Sequence, residues 1–204
     1  MTQERYTDMF EIQPVTPEDI PEITELVAEC WKDYFADTSD SLLKAACGMI
    51  VRNNYIEPEF SFKIAEGGKI IAVVFAGTAD SMSHPEDFYE YQLSVLNDKE
   101  REWLMTQRAY HIKADEECRK LLDCKTFKLA LFMSTANGCG KLLLNHVTEI
   151  LRKRGYNRMA LWTDTTCSFE YYPAHGFIEQ SSLLIPEYSS EQEEYRLFTF
   201  TKEI

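Results

Sequence analysis

Apolar and polar positions alternate over Phe10-Glu11-Ile12-Gln13-Pro14-Val15 with the period of a short strand. The next residues, Thr16-Pro17-Glu18-Asp19, carry helix-start chemistry: Thr16 as N-cap, Pro17 at the first helical position, Asp19 as a capping-box partner. Ile20, Ile23, Leu26, Val27, Cys30 and Trp31 then recur at helical spacing and predict one apolar stripe. After the polar break Asp37-Thr38-Ser39-Asp40, a second amphipathic helix is predicted from Leu42, Leu43, Ala46, Cys47, Ile50 and Val51. Residues 61–65 and 70–76 read as strands joined by the turn Glu66-Gly67-Gly68-Lys69, a hairpin.

Residues 80–125 break this regularity. They are rich in charge and aromatics, including Tyr89, Tyr91, Trp103 and Tyr110. A structureless loop of that length is uncommon, so two or three helices are expected there, with 91–104 and 108–122 the helix-permissive stretches. Order then resumes: an apolar strand at 127–133, a glycine-containing turn at 134–140, and a helix with Leu142, Leu143, Val147, Ile150 and Leu151 on one face, ending at Gly155. Residues 158–163 form another predicted strand, 168–174 a short helix before Gly176, and 177–185 with 195–201 a closing antiparallel pair. With no internal repeat and no long linker, the chain reads as one domain over 1–204 with a helical insertion at 80–125.

Composition narrows the classes. A chain of 204 residues, 45% hydrophobic, can bury a sizeable core. No segment approaches the roughly 18 consecutive apolar residues of a membrane-spanning helix, and the start MTQERYTDMF is polar and acidic, unlike a signal peptide. A soluble, cytoplasmic protein without a membrane partner is expected. The net charge of −13, from 34 acidic and 21 basic side chains, opposes binding to nucleic acid. The one tight basic run, Arg152-Lys153-Arg154, falls in the last turn of a predicted helix, where cations complement the dipole. Six cysteines form no CxxC pair, and the four histidines do not join them at zinc spacing, so free thiols and no metal are expected.

The candidate chemistry centres on Gly138-Cys139-Gly140-Lys141, between an apolar strand and an amphipathic helix. The first turn of a helix leaves N–H groups unpaired and partly positive, which suits a phosphate, and glycines let an anion approach the backbone closely. Two familiar phosphate patterns fail: Lys141 is followed by Leu142 where a P-loop needs Ser or Thr, and Leu143 occupies the third glycine of a dinucleotide fingerprint.

Thr135-Ala136-Asn137-Gly138-Cys139-Gly140-Lys141-Leu142-Leu143 resembles the acetyl-CoA motif of the GNAT acetyltransferase superfamily, [R/Q]-x-x-G-x-[G/A], with Thr135 where the family commonly has Arg or Gln. Tyr172-Pro173-Ala174-His175-Gly176-Phe177 resembles the same family's Y-x-x-x-G-F segment. The resemblance implies an α/β (α+β) fold with a mixed, mostly antiparallel central sheet flanked by helices, in the order β-α-α-β-β, insertion, β-α-β-α-β-β. It implies an N-acetyltransferase that moves an acetyl group from acetyl-CoA to a primary amine, on a small molecule or a peptide, by direct attack in a ternary complex.

It also implies roles. The backbone of Leu131, Phe132 and Met133 would pair with the pantetheine and stabilise the oxyanion; Asn137, Gly138, Cys139, Gly140, Lys141 and Leu142 would hold the pyrophosphate; Tyr172 would protonate the leaving thiolate. Thr165 and Ser168 are expected at the cofactor, offering hydroxyls where the family often has Asn. Asp164 is either a base or a cap of the next helix. Cys139, at a helix N-terminus, is expected to have a lowered pKa, and Cys167 to be a small buried residue. The insertion, aromatic and acidic, would suit a cationic acceptor such as a polyamine, amino sugar or peptide amine, and the last strands offer an edge for a homodimer. Two alternatives stay open: a non-catalytic acyl-CoA-binding or regulatory module, and an interaction domain that docks through the insertion.

Overall fold

The computed structural model describes residues 10–190 and 194–204; the N-terminal stretch 1–9, read above as polar and acidic, lies outside them. Strand β1 (Ile12–Pro14) leads into helices α1 (Ile20–Cys30) and α2 (Asp40–Asn54), then the hairpin β2 (Ser61–Glu66) and β3 (Lys69–Gly77). Two helices follow, α3 (Glu86–Val95) and α4 (Asp98–Arg119), and then β4 (Thr126–Ser134), α5 (Cys139–Lys153), β5 (Arg158–Asp164), α6 (Tyr171–Ala174), β6 (Ile178–Leu184) and β7 (Arg196–Glu203). The seven strands form one sheet in the order β1-β2-β3-β4-β5-β7-β6. Every neighbouring pair is antiparallel except β4 and β5. This is the mixed, mostly antiparallel sheet that the sequence implied.

The apolar stripes decide how the helices attach. Leu143, Val147 and Leu151 of α5 are fully buried against Ile64, Val74, Phe127 and Leu161 on one face of the sheet. Ile23, Leu26 and Val27 of α1, with Cys47 and Val51 of α2, cover the other face at Val73, Phe75, Leu131 and Met133. Helix α4 lies beside α2 on that second face and reaches β5 and β7 through Tyr110 and Ala114. Each buried aliphatic side chain contributes about 1.5–3 kcal/mol, so α5 easily outweighs the roughly 1 kcal/mol cost of a helical glycine at Gly140.

The capping box at Thr16 forms as expected, but it heads a single 3-10 turn that runs into α1. The Asp19 carboxylate accepts the Thr16 N–H (2.8 Å) and pairs with Lys63 of β2. Burial alone would raise the Asp19 pKa; the Lys63 ammonium and the Thr16 donors outweigh it and hold the pKa below its usual value. A depressed folded pKa stabilises above the unfolded value, near ~3.9, and that contribution disappears as pH falls through the folded value. Asp19→Asn should therefore lower the urea midpoint at pH 7 and leave it nearly unchanged near pH 2; equal losses at both would show that the pair adds nothing.

Two boundaries differ from expectation. The break in the 80–125 segment falls at Leu96 and Asn97, not near residue 105, because Asn97 accepts from the Glu100 N–H (3.1 Å) while Glu100 accepts from the Asn97 N–H (3.1 Å). This reciprocal cap fixes the start of α4. The predicted helix at 168–174 is helical only over Tyr171–Ala174.

Candidate functional site

Strands β4 and β5 pair only at Thr126–Arg158, Phe127–Met159 and Lys128–Ala160, then part. Beyond that point each strand keeps only its outer neighbour: β4 stays on β3 through Phe132 and Met133, and β5 stays on β7 through Asp164. At the fork, Phe75 faces Leu131 and Ala76 faces Leu129, so Ala130 is an extra residue, a bulge. The bulge inverts the strand's facing: Phe127 and Leu129 pack toward α5, whereas Leu131 and Met133 pack toward α1 and α2. Successive residues of an antiparallel strand turn their backbone groups to opposite sides. The stretch Leu131, Phe132, Met133 therefore presents free backbone to the gap, while its side chains sit in the core or, for Phe132, half-buried beside α5.

The turn after β4 gathers unpaired backbone donors. Gly138 caps α5 at φ +86°, a conformation that favours glycine. A Cβ on Gly140 would lie 3.1 Å from the Phe132 ring, so the helix approaches the strand as closely as a glycine permits. Among the described residues, the N–H groups of Asn137, Gly138, Gly140 and Lys141 find no acceptor, whereas those of Cys139 and Leu142 bond to Ala136 O (3.4 Å) and Gly138 O (3.1 Å). Four unpaired amides at a helix N-terminus are chemically able to receive an anion. The Thr135 hydroxyl donates to Ile71 O (3.2 Å), prolonging the β3–β4 ladder away from the turn. Cys139 departs from expectation: it is fully buried, and burial with the nearby Glu66 charge raises its thiol pKa.

Tyr172 sits at the base of α6, its ring packed on Phe177 (5.3 Å) and stacked on Phe200 (5.6 Å). Its hydroxyl has no hydrogen-bond partner among the described residues and still reaches accessible space. Burial, with the neighbouring Cys167 and Tyr171, raises the phenol well above its usual pKa, so it stays protonated. Burial also pushes the Cys167 thiol up to about 12, which removes it as a nucleophile near neutral pH. Thr165 turns toward β7, its N–H bonded to Arg196 O (3.1 Å) and its hydroxyl accepting the Arg196 N–H (3.4 Å). Ser168 is exposed, its hydroxyl unpartnered among the described residues. His175 is exposed and stacks on Tyr171 (3.8 Å).

Two aspartates tie the fork together: Asp164, read from the sequence as a base or a helix cap, and Asp115, which carries no sequence signature. Asp164 is buried, and its Oδ2 accepts from the hydroxyls of Tyr110 (2.9 Å) and Tyr195 (2.8 Å), while Oδ1 accepts the Thr166 N–H (2.9 Å) and hydroxyl (2.6 Å). It ties β5 to α4 and to the segment before β7, and all its acceptor positions are taken. Asp115 of α4 is a second tie: its Oδ1 accepts from Lys128 Nζ on β4 and from Trp162 Nε1 on β5, both at 2.5 Å. One oxygen thus clamps the two strands where they separate.

No protein-family model and no curated protein matches the sequence. Solved structures do. Arylalkylamine N-acetyltransferase 2 from Aedes aegypti aligns at TM-score 0.54 and 16% identity over 96% of this chain and 99% of its own. A polyamine N-acetyltransferase from Drosophila melanogaster aligns at 0.52 and 14%, over 96% and 100%. A PaiA N-acetyltransferase from Thermoplasma acidophilum, in complex with coenzyme A, aligns at 0.51 and 13%, over 96% and 99%. With the forked β4–β5 pair and the glycine turn above it, this likeness over nearly the whole chain identifies the fold: the chain has the fold of the GNAT N-acetyltransferases.

Proposed function

We propose that this chain is an acetyl-CoA-dependent N-acetyltransferase that passes an acetyl group to a primary amine by direct attack in a ternary complex. The observation that carries the reading is the continuity of the fork with the amide cradle, so that one extended ligand can run from phosphate to thioester along β4. The pyrophosphate would rest on the N–H groups of Asn137, Gly138, Gly140 and Lys141, with Cys139 and Leu142 holding the turn in shape. The pantetheine would add as a short strand to the open backbone of Leu131, Phe132 and Met133, one of whose amides would donate to the developing oxyanion. Tyr172, kept neutral by burial, would give its proton to the leaving thiolate. Ser168 would reach the donor as an exposed hydroxyl near Tyr172, and Thr165 would hold the end of β5 in place. Six free cysteines suit a reducing cytoplasm, where we place the reaction.

A thermal-shift titration with acetyl-CoA tests this first. Ligand at a hundred times its dissociation constant stabilises the folded state by about 2.7 kcal/mol, which is a readily seen rise in melting temperature. No rise at millimolar acetyl-CoA would end the reading. One observation favours a second reading, a non-catalytic acyl-CoA-binding module: the Thr135 hydroxyl is spent on Ile71, so the position that carries Arg or Gln in the resembling motif makes no outward contact. That module would show the same shift without turnover.

A further inference from the structure

On the face of the sheet opposite α5 lies a cavity of about 470 Å³, of a size that takes a small molecule. Its walls come from the end of α2, the β3–α3 connection, α4 and β4. Its placement ties it to the fork. Lys128, in the wall, is the last β4 residue paired with β5, and His111, also in the wall, lies against Trp162 of the separated part of β5 (ring centroids 5.4 Å). A donor held from the α5 side and an acceptor held here would meet at the fork from opposite faces. We propose that this cavity is the acceptor chamber of the acetyl transfer, that it takes a small amine bearing its own carboxylate, such as an amino acid or a dipeptide, and that His111 receives the amine's proton. The inference rests on the acetyl-transfer reading above.

His111 is 9% exposed, makes edge contacts with Tyr110 and Trp162, and has no hydrogen-bond partner among the described residues. Its ring nitrogens are not sealed in the core, so their open side is the cavity. The nitrogens are thus open to a molecule held beside them. Burial lowers its pKa; Asp115 and Asp164 oppose that shift and Lys128 adds to it, with Arg108, Glu116 and Arg119 of α4 and Glu86 of α3 the further charges around the cavity. The result is a neutral imidazole at physiological pH, able to accept a proton.

The charges of the wall select the acceptor. Lys128 is paired with Asp115 (2.5 Å), and Arg108 lies 3.7 Å from Glu86. Glu116 and Arg119, three residues apart on α4, have no ion pair among the described residues and leave one anion and one cation facing the ligand. An amino acid satisfies both, whereas a polyamine satisfies Glu116 and leaves Arg119 without a counter-charge. In the reaction the ammonium gives a proton to His111, the free amine attacks the thioester carbon, the C–N bond forms, the C–S bond breaks, and the thiolate takes the Tyr172 proton. The nitrogen's second proton, lost as the amide forms, restores Tyr172 by way of solvent, and His111 releases the first, so one net proton passes to solvent.

The test is thiol release from acetyl-CoA with amino acids and dipeptides in one arm and polyamines with arylalkylamines in the other. Turnover is expected in the first arm. His111→Gln should lower kcat about a hundredfold, abolish an acid limb of the pH profile that lies below the usual histidine range, and leave acetyl-CoA affinity unchanged. Ser83→Trp, which fills the cavity from the β3–α3 connection, should raise the acceptor KM at least tenfold without altering acetyl-CoA affinity, and it serves if the His111 variant fails to fold. A preference for polyamines, a His111→Gln enzyme with the wild-type rate and profile, or an unchanged acceptor KM in Ser83→Trp would overturn the inference while the acetyl-transfer reading stands. Failure of the wild-type protein to bind acetyl-CoA, or turnover in neither arm, would remove that reading itself.

Discussion

Replacing Tyr172 with phenylalanine is expected to cut kcat about a hundredfold, the lower end of what a positioned proton donor supplies, with acetyl-CoA affinity and melting temperature close to wild type. Stability should hold because the ring's contacts with Phe177 and Phe200 involve no hydroxyl, and the hydroxyl itself bonds to no described residue. A phenol that was merely structural would leave turnover untouched, and an acyl-CoA-binding module would show no turnover to lose. The pH profile adds a second reading of the same group. Burial raises this phenol above its usual pKa, so the acid form persists through mild alkali, and the wild-type rate should show no decline attributable to Tyr172 below about pH 10. A descending limb near pH 8 that vanishes in Tyr172→Phe would contradict the burial.

The other large effect concerns Asp115. Its ion pair with Lys128 is sheltered on the lysine side, Lys128 being 8% exposed at the side chain and Asp115 28%, with the cavity beside it. Asp115→Ala leaves a buried ammonium unpaired and orphans the Trp162 indole N–H. Breaking one half of a buried pair costs about 3–5 kcal/mol, a large share of the roughly 5–15 kcal/mol that holds a domain folded. Urea unfolding should show it. The double variant Asp115→Leu with Lys128→Met should recover much of the loss, because no buried charge is then left alone. A single-variant loss under about 1 kcal/mol, the value of a surface pair, would mean that water screens the clamp.

Much of this was legible beforehand, for a local reason. The strand, the glycine turn and the apolar stripe of α5 are specified by neighbours within a few residues, and so is the hairpin at Gly67 and Gly68. The start of α4 is equally local, since Asn97 and Glu100 stand at capping-box spacing. The Ala130 bulge was not legible, because the uninterrupted apolar run at 127–133 reads the same with or without a change of facing. Asp164 with Tyr110 and Tyr195, Asp115 with Lys128 and Trp162, and the burial of His111 all depend on α4 crossing the fork. Those contacts join residues far apart in the chain. Cys139 is the converse case: its helix position argued for a reactive thiol, and packing between α5 and the sheet reversed that.

The outer strand β6 has a further consequence. It is the last strand of the sheet, and its pairing with β7 skips Gln180, since Glu179 faces Phe200 and Ser181 faces Thr199. Ile178 and Leu184 lie exposed near its two ends. A straight edge with those side chains would be a template for another molecule's strand, the route to aggregation. The bulge interrupts the row of free N–H and C=O groups halfway along and twists the strand. At the opposite edge β1 is only three residues long. Among the described residues the sheet thus ends in one irregular strand and one short one, each a poor template for strand addition while the protein folds.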